Sequence, residues 1–279
     1  MRTLSHPSMD GRGLGTPGHD RARDYIIRRL TALGARPCRD TFIQTFPLRV
    51  NGTRLKGENI LACLAGHKSV TGPRPVIVLS AHYDHLGWID KEVHPGANDN
   101  ASGVGGVLAI TESLLRQSPH HDVIIAFFDA EERDLDGSKA FVAQPPVPLS
   151  RIRFLVNLDM IGRDDSGEIY ASGSYGRPAL RAFLQRLPEP GPVSLELGYD
   201  DPSDPDNDWT HQSDQSAFHA KGIAHLHFGV ADDPDYHAPE DTADKIKPAF
   251  YRCTIQLIHS AFRGIDQDLD RLSASPRKN

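Results

Sequence analysis

Apolar positions fall in two rhythms along the 279-residue chain. Near-continuous apolar runs at 75–81, 122–128, 154–158 and 223–228 predict strands buried on both faces. Residues 41–48 and 59–64 predict two more strands. Between them, apolar residues three and four apart predict helices. Thr16 and Pro17 read as N-cap and first position of a helix whose stripe is Ala22, Ile26, Leu30 and Leu33, stopped by Gly34. A helix over about 101–117 turns Val104, Val107, Leu108, Thr111, Leu114 and Leu115 inward. Pro178 opens a helix carrying Leu180, Phe183, Leu184 and Leu187, and Ser213 caps a short one ending near Gly222. Pro248 starts the last, with Tyr251, Ile255, Ile258, Phe262 and Ile265 on one face. Strands alternating with helices predict an α/β fold, a three-layer αβα sandwich around a mostly parallel mixed sheet. There is no internal repeat or low-complexity linker, so residues 1–279 read as a single domain. The glycine-rich start at 11–18 is not a phosphate loop: no strand precedes it and no Gly-Lys-Ser/Thr follows.

Composition narrows the class. The formal net charge is −6 and no basic patch is evident, which argues against a nucleic-acid partner. The longest apolar run, 123–128, is far short of the ~20 residues that span a bilayer. Cys38, Cys63 and Cys253 form no Cys-x-x-Cys pair; they read as buried thiols and exclude a zinc knuckle. Residues 1–20 have no apolar signal core. That points to the cytoplasm if Met1 is the natural start, and to secretion or the periplasm if a leader has been trimmed.

In open α/β sheets, sites form beyond the carboxyl ends of the strands. His82, Asp84 and His85 follow the first buried run; Glu131 and Glu132 follow the second; Asp159 follows the third; Tyr236 and His237 follow the last. Asp99 lies in Gly96-Ala-Asn-Asp-Asn-Ala-Ser-Gly103, just before a helix. Imidazoles and carboxylates without thiolates suit a hydrolytic zinc or similar divalent ion. His82, His237, Asp99, Glu132 and Asp159 are too many for one open catalytic zinc, and suit two metals sharing one carboxylate. Glu131 is left beside a ligand, where a general base for the attacking water belongs. Singly, His82 reads as a strand-end histidine, Glu131-Glu132 as a solvated turn and Asp99 as a helix cap. His85, His225 and His227 read as structural or rim residues. Five independent coincidences at successive strand ends do not fit those duller readings.

The segments His82-Tyr-Asp-His-Leu-Gly87, Gly96–Gly103, Ala130-Glu-Glu-Arg133, Asn157-Leu-Asp-Met-Ile-Gly162 and Tyr236-His-Ala-Pro-Glu-Asp-Thr242 occur in that order. Together they resemble the co-catalytic di-zinc aminopeptidases, metallopeptidase family twenty-eight, the family of aminopeptidase Y and the bacterial leucyl aminopeptidases. The resemblance runs from about Gly11 to the last helix. It implies a zinc-exopeptidase fold, two Zn²⁺ per chain and peptide substrates with a free N-terminus. By position, His82 and Asp159 would hold one zinc, Glu132 and His237 the other, and Asp99 would bridge them. Glu131 would be the base and Tyr236 would hydrogen-bond the oxyanion. Asp84 would stand behind His82, and residues i and i+2 of an extended strand end do face the same way. The resemblance also implies a cis peptide at Asp99–Asn100. Gln215 departs from it, since these enzymes usually carry His after Ser-Asp. Two other readings remain: a single-zinc glutaminyl cyclase on the same fold, or a binding domain with a dead peptidase fold. Aspartates 200, 201, 204, 206 and 208 read either as a solvated loop or as a negative rim that attracts cationic substrates.

Overall fold

The computed structural model describes residues 1–50, 52–69 and 71–274. Helix α1 (Pro17–Leu33) precedes strands β1 (Arg36–Pro37), β2 (Ile43–Val50), β3 (Thr53–Leu64) and β4 (Val76–His82). A small hairpin, β5 (Gly87–Ile89) and β6 (Glu92–His94), leads to α2 (Gly103–Arg116), β7 (Asp122–Phe128), α3 (Asp136–Ala143), β8 (Ile152–Leu158) and β9 (Glu168–Ser172). Then come α4 (Pro178–Leu184), β10 (Ser194–Leu197), α5 (Gln215–His219), β11 (Ala224–Gly229), α6 (Pro248–Gln267) and α7 (Leu269–Leu272). The main sheet runs β1-β3-β7-β4-β8-β11-β9-β10, with β2 paired to β3. Its centre, β7-β4-β8-β11, is parallel, while β3 and β9 join it antiparallel. The sheet is mixed and covered on both faces, as the patterning predicts.

Alternate side chains of the central strands feed two cores. Ile77, Leu79, Val123, Ile125, Phe127, Phe154 and Val156 pack against α1, α2 and α6 through Ile26, Leu30, Val107, Leu257 and Phe262. Val76, Val78, Ile124, Ala126 and Leu155 face the other way, onto Phe141 of α3 and Phe218 of α5. This is why all seven residues of β4 are buried and its sequence does not alternate. Burying one such side chain contributes about 1.5–3 kcal/mol, so the four central strands form the rigid base on which their carboxyl ends are held.

Several boundaries differ from the pattern. The run at 59–64 is the inner half of β3; the outer half, from Thr53, is mostly exposed and pairs with β2, so it carries no apolar signal. Leu187 packs on the core from beyond the end of α4 at Leu184. The buried-thiol reading is corrected for two cysteines. Cys38 and Cys63 form a disulfide, with Cα atoms 4.8 Å apart where β1 meets β3, and only Cys253 is free. Thr16 caps α1 by accepting from the His19 amide, and Gly34 ends it in the left-handed region. Among the described residues, no helix is long and apolar enough to cross a membrane.

Candidate active site and metal centre

His82 is the last residue of β4, and Asp159 follows β8, the strand beside it. Glu131 and Glu132 follow β7 on the other side of β4, and His237 lies in the loop after β11. Sheet order therefore collects residues 155 positions apart in the chain, from His82 to His237, at one edge. Asp99 comes from the segment ahead of α2 and is buried between them.

The two carboxylate oxygens of Asp99 look in different directions. Oδ1 lies 3.3 Å from His82 Nε2, which is also 3.2 Å from Asp159 Oδ1. Oδ2 lies 3.1 Å from His237 Nε2, which is also 3.3 Å from Glu132 Oε2. Ligand atoms on a tetrahedral zinc with bonds of ~2.0–2.2 Å stand about 3.3 Å apart. Each cluster has that spacing, and the donors are the hard and borderline atoms zinc takes. The groups therefore fit a divalent ion on either side of Asp99: His82, Asp99 and Asp159 on one, and Asp99, Glu132 and His237 on the other.

Glu131 Oε2 is 4.0 Å from His82 Nε2, beside the first cluster and not in the shared contacts. Burial lifts its carboxyl well above the ordinary range; His82 opposes the rise, and Asp159, Asp214 and Glu132 reinforce it. A raised carboxyl pKa brings a proton acceptor closer to neutral operating pH. Asp84 is fully buried, 3.6 Å from His82 Nδ1, and accepts the Glu131 amide at 3.1 Å. It thus ties the strand end carrying His82 to the turn carrying both glutamates. The Tyr236 ring stacks on His237 with centroids 3.9 Å apart and is 40% exposed. Burial and the negative charges of Asp99, Asp159 and Glu132 raise its phenol, which stays protonated and able to donate.

The loop bearing Asp99 is held from both ends of its polarity. The Asp241 carboxylate accepts the amides of Asn98 and Asp99 at 2.9–3.0 Å. On the carbonyl side, the guanidinium of Arg12 donates to the oxygens of Tyr83, Leu4, Pro95, Gly96 and Asp99 at 2.7–3.1 Å. All five of its N–H groups are used, and the side chain is completely buried. Asn98 and Ser102 accept from Gly162 and Ile161, and Asn100 donates to Leu158 O at 2.9 Å, which fixes the Asp99 segment to the one carrying Asp159. The Asp99–Asn100 peptide is cis, as the resemblance implies.

His85 needs correction. It is a site residue: its Nδ1 is 2.7 Å from Glu132 Oε1 and 3.7 Å from Asp99 Oδ2, and its Nε2 has no hydrogen-bond partner. The 2.7 Å contact is a hydrogen bond that ties His85 to Glu132, and His85, Asp99 and Glu132 also stand close enough together to share an ion. His225 and His227 stay outside both clusters; burial takes them down to about 3 and about 4. Gln215, which departs from the family pattern, donates to Trp209 O at 2.7 Å and accepts from Asn157, beneath the site. In the acidic loop, Asp200 is buried and accepts the amides of Gly173, Ser174 and Tyr175, so it is a staple and not part of a rim.

Comparison with known proteins accords with this geometry. The model described as Peptidase family M28 matches residues 59–261. The chain belongs to peptidase family M28. Among curated relatives, the M28 chain is 28% identical over 205 residues to aminopeptidase YwaD of Bacillus subtilis, covering 70% of this chain and 41% of that protein. It spans less than half the length of the curated relatives that head the comparison. A zinc aminopeptidase structure from Bacillus subtilis superposes with a TM-score of 0.58 at 24% identity, covering 74% of this chain and 49% of the other. A Bacteroides thetaiotaomicron glutaminyl cyclase bound to N-acetylhistamine superposes at 0.69 with 21% identity, covering 93% and 95%. At these identities both structures bear on the M28 fold alone.

Proposed function

We propose that this M28 chain is a two-zinc aminopeptidase, a single peptidase domain that hydrolyses the N-terminal bond of peptides. The observation that carries the reading is Asp99, whose Oδ1 stands beside His82 with Asp159 next to it, and whose Oδ2 stands beside His237 and His85 with Glu132 next to them. When bound, two divalent ions lower the pKa of a water and polarise the scissile carbonyl. Glu131 takes the proton of the attacking water and returns it to the leaving amine, from a carboxylate poised by burial. Tyr236 donates its phenolic hydrogen to the developing oxyanion. Asp84 and His85 hold His82, Glu131 and Glu132 in position.

A second reading, acyl transfer by a single-zinc glutaminyl cyclase, belongs to the same fold, on which such an enzyme superposes. Against it stands the completeness of both ligand sets beside Glu131. The test is a panel of amino-acid nitroanilides, peptides with free and acetylated N-termini, and N-terminal glutaminyl peptides. The aminopeptidase reading expects release of the first residue from free-amine substrates only. Ring closure of glutaminyl peptides without hydrolysis of the others would overturn it.

A further inference from the structure

A cavity of about 390 Å³ opens beside the Glu132 and His85 half of the centre. That is the small end of the range of ligand cavities, ~300–1,000 Å³, and suits a group the size of one residue. Its walls are fixed. Gly13 and Gly87 meet backbone to backbone: a Cβ on Gly13 would lie 2.8 Å from Gly87 Cα, and one on Gly87, at φ +78°, would lie 2.9 Å from Gly13 Cα. No larger residue fits either position without separating the two segments.

Two side chains on this wall have no other employment. Trp88 is 56% exposed, an apolar ring at the mouth of a cleft. Arg133, directly after Glu132, is exposed and enters no ion pair or side-chain hydrogen bond among the described residues. Of its acidic neighbours, Asp134 is engaged by Lys139 at 2.8 Å, and Asp136 feels the Arg133 charge without pairing with it. The centre next door holds four carboxylates, Asp99, Glu131, Glu132 and Asp159, whose charge two bound divalent ions would balance. The cleft therefore presents an exposed cation, Arg133, one cavity away from a metal-loaded centre of little net charge. A molecule complementary to that pattern carries an anion at the Arg133 end.

We propose that this cavity is a substrate subsite for a carboxylate, gripped by Arg133, with Trp88 packed against the residue that bears it. Guanidinium and carboxylate match as a two-pronged pair. The inference deepens the aminopeptidase reading, on which it rests, by naming the substrate class: short peptides whose carboxylate falls within reach of Arg133. The carboxylate is either a free C-terminus or an acidic side chain.

The test compares the zinc-loaded wild type with Arg133→Gln and Arg133→Glu on leucyl-glycine, leucyl-glycinamide, leucyl-aspartyl amide and leucine nitroanilide. The expected result is a KM about three- to fivefold higher for substrates bearing a carboxylate, as an exposed charge-assisted pair gives, with a larger rise for Arg133→Glu. Leucyl-glycinamide and the nitroanilide should stay within about twofold of wild type. An effect confined to leucyl-glycine assigns the subsite to the C-terminus; one confined to leucyl-aspartyl amide assigns it to the side chain. Equal KM values for wild type and variants on all four, or a uniform loss on all four, would overturn the subsite while leaving aminopeptidase activity standing. A wild type that cleaves none of the four overturns the aminopeptidase reading and this one with it.

Discussion

Asp99 is useful only if its carboxylate stays turned, with one oxygen toward His82 and the other toward His237, and its neighbours are arranged to keep it so. Burial works against its charge, but His85, His237 and His82 outweigh burial and hold its carboxyl well below the usual range. Arg12 and Asp241 clamp the peptide groups on either side of it. Substituting Arg12→Lys keeps the charge and offers three donors to five carbonyls. Buried acceptors without donors cost roughly 1–3 kcal/mol each, so with two left unpaired urea unfolding should reveal a loss of about 2–6 kcal/mol; an unchanged midpoint would mean that water replaces the missing donors. His85 acts on Glu132 and not on Glu131. Groups that orient ligands are typically worth ~10–100-fold in metal affinity, and His85→Gln should lower zinc affinity by that factor in a chelator competition. Four of the candidate ligands are legible in the sequence because each follows an apolar run, and Asp99 because its glycine-bounded segment opens a helix. His85 is not: β4 ends at His82, the chain then leaves the strand, and alternation no longer says which way residue 85 points. Arg12 leaves no periodic trace at all, because its partners are carbonyls scattered from Leu4 to Asp99.

The elements that set the site, β4, β7, β8, β11 and α2, are also the ones that patterning finds, because strands buried on both faces must be apolar throughout. What escapes notice is short or peripheral. β1, β5 and β6 have two or three residues each, and α3 follows the Glu131–Glu132 turn without a helix-starting cap. The disulfide belongs here too: nothing in the spacing of Cys38 and Cys63 announces that β1 folds back on β3. It closes a loop of sequence separation 25, for which chain entropy gives about 3–4 kcal/mol. Cys38→Ser should lower the thermal midpoint, and reductant should lower that of the wild type but not that of the variant. If reductant leaves the wild type unmoved, the bridge is not formed in solution.

Taken as one molecule, the protein concentrates negative charge at the carboxyl edge of its sheet and offers it to cations. In the absence of metal the imidazoles take up protons instead. Burial opposes the His237 cation, but hydrogen bonds to Asp99 and Glu132 raise its pKa to about 10; His82 is likewise raised, with Asp159 and Glu131 outweighing burial. For the metal-free fold, the stabilisation from His237 is complete below about 6.5 and is lost as pH rises through about 10. Zinc binding runs the other way, since it requires neutral imidazole. Zinc affinity should therefore climb between pH 6 and 9, by about tenfold per unit for each proton displaced, as read by chelator competition with proton release followed in weak buffer. A flat profile would mean that the imidazoles are already neutral.

The most direct measurement is zinc stoichiometry, by elemental analysis after equilibrium dialysis, taken beside kcat for the same samples. Wild type should hold two ions per chain. Glu131→Gln should hold two as well, while kcat falls by at least ~10²–10⁴-fold, the usual worth of a general acid–base. Asp99→Asn, Glu132→Gln and His237→Ala should each bind less metal, because each removes a ligand. One ion in the wild type, or a Glu131→Gln variant that loses metal or keeps near-normal kcat, would contradict a two-metal centre bridged by Asp99 with Glu131 as its base.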